Sequence, residues 1–220
     1  NNRIQGNYIG LSVHGVNPVP NHADGIGVED ASAGNVIGGS EPGAGNVIAG
    51  NAYEHVFLGG TLGTIVQGNI IGTNALGTET VAYAQVGIRV EDDFDSLIGG
   101  AGPGEGNLIS GSYYGIYANG RWHAGGTQRL TIQGNRIGTS ADGQSVLANF
   151  QGIYLDGYEG GELRFEAHDI LIGGTEPGAG NLVSGNQTGG IIVRGPNLTG
   201  VIIQHNQVGT DIDGLDALPN

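Results

Sequence analysis

The sequence predicts an all-β solenoid, a chain wound into stacked coils, and three observations predict it. The phrase "QGNYIG" at residue 5 returns as "QGNIIG" at 67, "QGNRIG" at 133 and "QHNQVG" at 204, a long period that lengthens slightly along the chain. Glycine supplies 46 of 220 residues, about three times its usual share, yet it keeps fixed offsets from Ile, Val and Leu, which marks turns and not low complexity. No window sets apolar residues at helical spacing over helical length, whereas short runs alternate, as at Ile88 and Val90 or Ile153 and Leu155.

The elements of one long period follow in constant order. A strand "GIxV" or its variant begins at Gly25, Gly87 and Gly152. "IGG" comes next, at Ile37, Ile98 and Ile172, then "GN(V/L)(I/V)xG" at Asn46, Asn107 and Asn181. An aliphatic or aromatic strand follows ("HVFLGG", "YGIYANG", "GGIIVRG"), and "QGN" ends the period. "EPG" and "GPG" predict tight turns, because proline fixes φ and glycine accepts the positive φ after it. Dividing each period into three coils of about 20 residues gives about ten rungs and a rod of roughly 50 Å. Stacking places like residues over like, so Asn51, Asn69, Asn135, Asn186 and Asn206 are expected to form a ladder of side-chain amides at the bends.

"IGGTEPGAGNLVSGN" (172–186), with "NxIGT" and "GIxI" phrases around it, resembles the right-handed parallel β-helix repeats of large secreted bacterial proteins. The resemblance covers essentially all of residues 1–220. It implies one right-handed parallel β-helix solenoid, an extracellular or cell-surface location in a bacterium, and a structural or adhesive role. Methionine is absent and residues 1–21 and 200–220 share one phase of the repeat, which leads us to expect a piece of a longer repeat protein. Bare parallel edges recruit further strands, so the first partner expected is the protein itself, end to end in a filament or side by side.

Charge and composition narrow the other partners. The net charge is −14, and the seven basic residues are all arginine, each isolated in the sequence, so no basic groove for nucleic acid is expected. No apolar run approaches the roughly 18 residues of a membrane span, so membrane insertion is not expected. Cysteine is absent, which excludes disulfides, thiolate metal sites and a cysteine nucleophile.

Chemistry is expected at the variable corners. Acidic corners follow the "GIxV" strands: Glu29 and Asp30; Glu91, Asp92, Asp93 and Asp95; then Asp156, Glu159, Glu162, Glu166 and Asp169, at a predicted spacing of three rungs or about 14 Å. Asp92, Asp93 and Asp95, or Asp211, Asp213 and Asp216 of the tail "TDIDGLD", would suit calcium, which takes six to eight oxygen ligands. No other cofactor is called for. His14 and His22 share a loop with Asp24 but lack a clear third ligand.

Two longer corners, 119–128 and 156–169, bring Trp122, Arg121, Tyr158, Phe165 and Arg164 together as a candidate sugar-stacking edge. For catalysis the candidates are Arg89, Asp92, Asp93, Glu162 and His168, but few outward acids are expected on the strands. The sequence therefore supports a structural or adhesive rod first. The alternative is a module that binds polysaccharide or cleaves it as a lyase or hydrolase.

Overall fold

The structure is a computed structural model that describes residues 1–82, 84–120, 126–157, 159, 160, 163, 164 and 166–220. Among these there is no helix. The chain is a parallel β-helix, the fold class that the repeat predicts, and strand twist favours the right-handed sense in parallel crossovers.

Three parallel sheets run the length of the rod. Sheet I holds Arg3–Ile4, Val36–Gly38, Ile65–Gln67, Leu97–Gly99, Thr131–Gln133, Leu171–Gly173 and Ile202–Gln204. Sheet II holds Tyr8–Ile9, Val47–Ile48, Ile70–Ile71, Leu108–Ile109, Arg136–Ile137, Leu182–Val183 and Gln207–Val208. Sheet III has the longest strands: Ile26–Glu29, Glu54–Gly59, Ala84–Glu91, Ser112–Asn119, Gln151–Asp156 and Ile191–Arg194. A short sheet of Thr127–Gln128, Ala167–His168 and Leu198–Thr199 fills the corner from sheet III to sheet I. An antiparallel pair, Glu159–Gly160 with Leu163–Arg164, projects from the same corner.

Sheets I and II therefore count seven coils, not the ten expected. Ile4, Ile37, Val66, Ile98, Ile132, Ile172 and Ile203 stack in register in sheet I, one to each coil, so every coil takes more chain than the expected length. The long period is two coils, and the rod is roughly 30 Å tall at the usual strand spacing. Long corners explain the overcount. Loops 10–18, 72–80, 138–146 and 209–217 protrude between sheets II and III in every second coil, each pinned by one antiparallel bridge such as Thr73 to Thr80. They stack on one another: Ala75 N donates to Gly15 O and Ala141 N to Gly77 O, both at 2.9 Å, and Ile212 N to Gly143 O at 3.1 Å. In the intervening coils the long corner is instead the proline turn between sheets I and II. There Ala44 N donates to Glu41 O (2.9 Å) and Ala179 N to Glu176 O (3.0 Å), with Gly43 and Gly178 at φ 82° and 85°, the type II geometry expected of "EPG".

The core is a set of aliphatic columns. Ile37, Val66, Ile98, Ile132 and Ile172 from sheet I face Ile48, Ile71, Ile109, Ile137 and Val183 from sheet II, all fully buried. Val56, Ile88, Ile116, Ile153 and their partners Leu58, Val90, Ala118 and Leu155 complete the interior from sheet III. Each such side chain contributes about 1.5–3 kcal/mol by leaving water, alanine less. The coil closes tightly where "IGG" turns toward sheet II. A Cβ on Gly99 would lie 1.9 Å from the Gln133 carbonyl oxygen of the next coil, and φ there is 85°, so only glycine fits.

The predicted ladder is one continuous ladder and two short runs. The continuous one runs Asn7, Asn46, Asn69, Asn107, Asn135, Asn181, Asn206, each Nδ2 donating to the next Oδ1 at 2.8–3.0 Å. It alternates the asparagine of "QGN" with that of "GAGN" or its equivalent. Asn51 and Asn186 belong elsewhere: Asn21 donates to Asn51 (2.8 Å), while Asn149 donates to Asn186 (3.0 Å) and Asn186 to Asn220 (2.7 Å) at the corner into sheet III.

Candidate functional site

The outward face of sheet III concentrates the side chains that neither the core nor the ladders use. Register puts Phe57, Arg89, Tyr117, Tyr154 and Ile192 in one row across five coils. A second row, two residues on, holds Glu29, Gly59, Glu91, Asn119, Asp156 and Arg194. Outward acids are thus present, contrary to expectation. Strand alternation puts them there, since Val28 and Val90, the residues before Glu29 and Glu91, face the core.

Five rings gather on this face. Tyr113 stacks on Phe150 (centroids 4.4 Å apart), Tyr114 on Tyr117 (5.0 Å), and Tyr154 lies 5.2 and 5.7 Å from Tyr114 and Tyr117. Tyr113 is exposed, Tyr114 and Tyr117 are half-buried, and Tyr154 is buried. Together with Arg89, Val86 and Gln85 the tyrosines at 113, 114 and 117 line a recess of about 410 Å³.

Polar pairs hold the recess in shape. Arg89 places Nη2 2.6 Å and Nε 3.0 Å from Glu91 Oε2, and Nη1 3.6 Å from Glu54 Oε1. Its guanidinium also lies 5.2 Å from the Tyr117 ring centre, a cation–π contact. Tyr117 OH donates to Asp156 Oδ2 at 3.0 Å, and Arg194 Nη1 donates to Tyr154 OH at 3.3 Å. Burial, the hydrogen bond to Asp24 and the Asp24 charge raise the Glu54 carboxyl to about 7, with Arg89 pulling it back. Burial beside Asp156 pushes the Tyr117 phenol upward too. The recess is therefore a rigid, aromatic surface rimmed by hydrogen-bonding groups.

A second and larger recess, about 720 Å³, adjoins it over Gly59. Glu29, Asp30, Phe57, Leu62, Glu91, Asp92 and Phe94 are among its lining residues. Glu91 lines this recess while Arg89, two residues earlier on the same strand, lines the other.

The predicted site residues are dispersed by the fold. Asp93 turns inward: it is 1% exposed, and its Oδ1 accepts from Ser96 Oγ (2.9 Å) and Thr61 Oγ1 (3.1 Å), while burial raises its carboxyl to about 6. Asp95 turns outward and is held by Arg129, whose hydrogen bond keeps the carboxyl below its ordinary range. Asp92 goes to the second recess, so the trio does not converge on a cation. Asp211 Oδ1 accepts from Leu215 N at 2.9 Å and Asp213 accepts from Gln144 Nε2 at 2.9 Å, which makes the tail a protruding loop like its three counterparts. No group of three or more His, Asp and Glu side chains is placed to hold a metal among the described residues. The acidic corners recur at two coils, Glu29 to Glu91, rather than at three rungs.

Of the catalytic candidates, Arg89 is in the tyrosine recess and His168 is on the far corner, with Nδ1 2.6 Å from Thr199 Oγ1. Glu162, Trp122, Arg121, Tyr158 and Phe165 lie outside the described residues, and Arg164 is described only as part of the antiparallel pair. Arg89 and Arg194, remote from each other in the sequence, share the sheet III face; Arg136 is on sheet II. The tyrosine cluster was not expected. Its signal is in "SYYGIYANG": register pairs Ile116 with Ile88 and Tyr117 with Arg89, which leaves Tyr117 outward, and Tyr114, on the other side of Gly115, stacks its ring on it.

Compared with protein families, with curated proteins and with solved structures, the chain matches none of them.

Proposed function

We propose that the protein is an extracellular adhesive β-helix rod of a bacterium and that its adhesive surface is a polysaccharide-binding face on sheet III. One observation carries this reading: the cluster of Tyr113, Tyr114, Tyr117, Tyr154 and Phe150 with Arg89 beside it, presented on a flat parallel sheet. Tyrosine rings offer flat apolar faces to a sugar ring, and the neighbouring hydroxyls, carboxylates and guanidinium groups match its hydroxyls. A rod whose coils are spaced at about 4.8 Å presents such groups in rows, which suits an extended polymer better than a small ligand. The resemblance to repeats of secreted proteins agrees with an extracellular place. The reading calls on no cofactor.

Self-assembly is the lesser reading. The aromatic cluster on sheet III favours a ligand on that face over contacts between copies.

The test is retention on a panel of immobilised neutral, acidic and amine-bearing polysaccharides by the protein and by Tyr114→Ala and Tyr117→Ala variants. Retention that drops at least tenfold in both variants while thermal unfolding stays cooperative supports the reading. Retention on no polysaccharide, or retention indifferent to both changes, removes it. Chain length after incubation reports cleavage in the same experiment, and Glu54, its carboxyl raised to about 7 by burial and Asp24, is the acid this face offers for it.

A further inference from the structure

Glu29 and Glu91 occupy the same strand position two coils apart on the outward face of sheet III, and the residue between them in register is Gly59. Every other position in this row between Glu29 and Arg194 carries a side chain. The missing side chain leaves room for the ring of Phe57, and both residues line the larger recess. Its floor is the ring of Phe57, which lies where a Gly59 side chain would project: a Cβ there would be 2.8 Å from Phe57 Cζ and 3.5 Å from Glu29 Cγ. Leu62 and Phe94 supply apolar wall, so the recess is an aromatic-floored slot with a carboxylate at either side.

Among the described residues the charged groups that line it have one sign: Glu29, Asp30 and Glu91, with Asp92 engaged in a contact of its own. Arg89 offsets Glu91 from the neighbouring recess at 2.6 Å, but Glu29 and Asp30 are two coils away from it. A uronate or sulfate chain laid across this face would bring anions against these carboxylates. A neutral sugar would gain nothing from them. An ammonium group would meet carboxylates on both sides and the face of Phe57 beneath it. The recess also continues the tyrosine recess, since Arg89 and Glu91 are about 7 Å apart along one strand.

We infer that the polysaccharide bound by this face carries free amino groups, and that the recess over Gly59 between Glu29 and Glu91 receives one of them. This rests on the polysaccharide reading of sheet III and adds the class of sugar. The tyrosines hold the sugar backbone in common with other glycans; the slot selects the amine.

A glucosamine hexamer and its fully N-acetylated counterpart have the same backbone and differ only in the amine, so calorimetry with both at about pH 5.5 and low salt separates the two ideas. The amine form is expected to bind at least tenfold more tightly than the acetylated form. That advantage falls to less than threefold in the Glu29→Gln/Asp30→Asn double variant, in Gly59→Val, which pushes the Phe57 ring up into the slot, and in about 0.5 M salt, while binding of the acetylated form is unchanged. Tyr114→Ala weakens both forms alike. Equal affinity for the two forms, with Tyr114→Ala still weakening both, overturns the inference and leaves the glycan reading standing. An amine preference that persists in both slot variants overturns its placement at Gly59. Binding of neither form overturns the inference and the glycan reading together.

Discussion

Asp95 and Arg129 face each other across adjacent coils in a two-pronged ion pair, Nε to Oδ1 at 2.5 Å and Nη2 to Oδ2 at 2.8 Å, and both have a left-handed backbone, at φ 60° and 54°. In register they belong to a column that reads Gly34, Gly63, Asp95, Arg129, Asp169, Gly200, every member at φ between 54° and 67°. The bend dictates the backbone, and glycine adopts it without cost. Where glycine is replaced, the replacements alternate in charge. The stack of Asp95, Arg129 and Asp169 thus offsets part of the strain that its own residues bring. Arg129→Ala keeps the strained backbone and loses the pair, whereas Arg129→Gly loses both strain and pair. Thermal unfolding is expected to rank Arg129→Ala below Arg129→Gly; the reverse order would show that the strain is negligible.

His205 is the exception in a second column. "QGN" becomes "QHN" in the last coil, and His205, at φ 56°, stands where Gly6, Gly68 and Gly134 have 65° to 68°. His205→Gly is expected to stabilise the fold by about 0.5 kcal/mol, the left-handed penalty less the extra freedom of glycine in the unfolded chain. Urea unfolding measures it, and a loss of stability would refute the assignment.

Burial of Asp93 makes stability depend on pH. Its carboxyl titrates near 6 in the folded protein against an ordinary 3.8, so the folded state binds this proton more tightly than the unfolded state. Stability from this group is therefore present at low pH and is lost as pH rises from about 4 to about 6. Beyond that the deficit is at most about 3 kcal/mol, roughly two pKa units at 1.36 kcal/mol each. Asp93→Asn keeps an oxygen for Ser96 and Thr61. It is expected to raise the Tm at pH 7.5 and to have little effect at pH 4; a Tm difference independent of pH would contradict this.

The asparagine row makes unequal demands along its length. Asn107 Oδ1 accepts from Asn69 N and Nδ2 at 3.0 Å, and its Nδ2 donates to Val66 O (2.8 Å) and Asn135 Oδ1 (2.9 Å), all inside the core. Asn107→Ala strands these partners in a dry interior and is expected to cost about 3–5 kcal/mol. Asn7→Ala, at the exposed end, is expected to cost less than about 1 kcal/mol. Chemical denaturation of the two variants, read side by side, decides it.

The repeat made the solenoid legible because glycine and asparagine are demanded by backbone conformation, which each coil meets anew. The coil count was not legible in the same way. Asn46 and Asn69 are consecutive rungs of one row, yet one follows "GAG" and the other "QG", because the wide proline turn of one coil and the tight turn of the next reach the same corner. A period that looks like three short coils is two coils with alternating detours. The site was hidden for a different reason: Phe57, Arg89 and Tyr117 are each separated by a full coil of chain, and only the parallel register makes them a row. Asp92, Asp93 and Asp95 look like a cluster in sequence, but a corner with left-handed φ at Asp92 and Asp95 sends successive side chains to different faces.

The first asparagine row has a direction. Each amide shows its oxygen to the coil before and its N–H to the coil after, so the side-chain dipoles lie head to tail along the axis and add, as peptide dipoles do in a helix. The two faces of any coil are consequently unlike, one an acceptor and the other a donor. An extra coil grafted into the rod can join this row in one orientation only, and an inverted one would set oxygen against oxygen at the corner where the interior is driest.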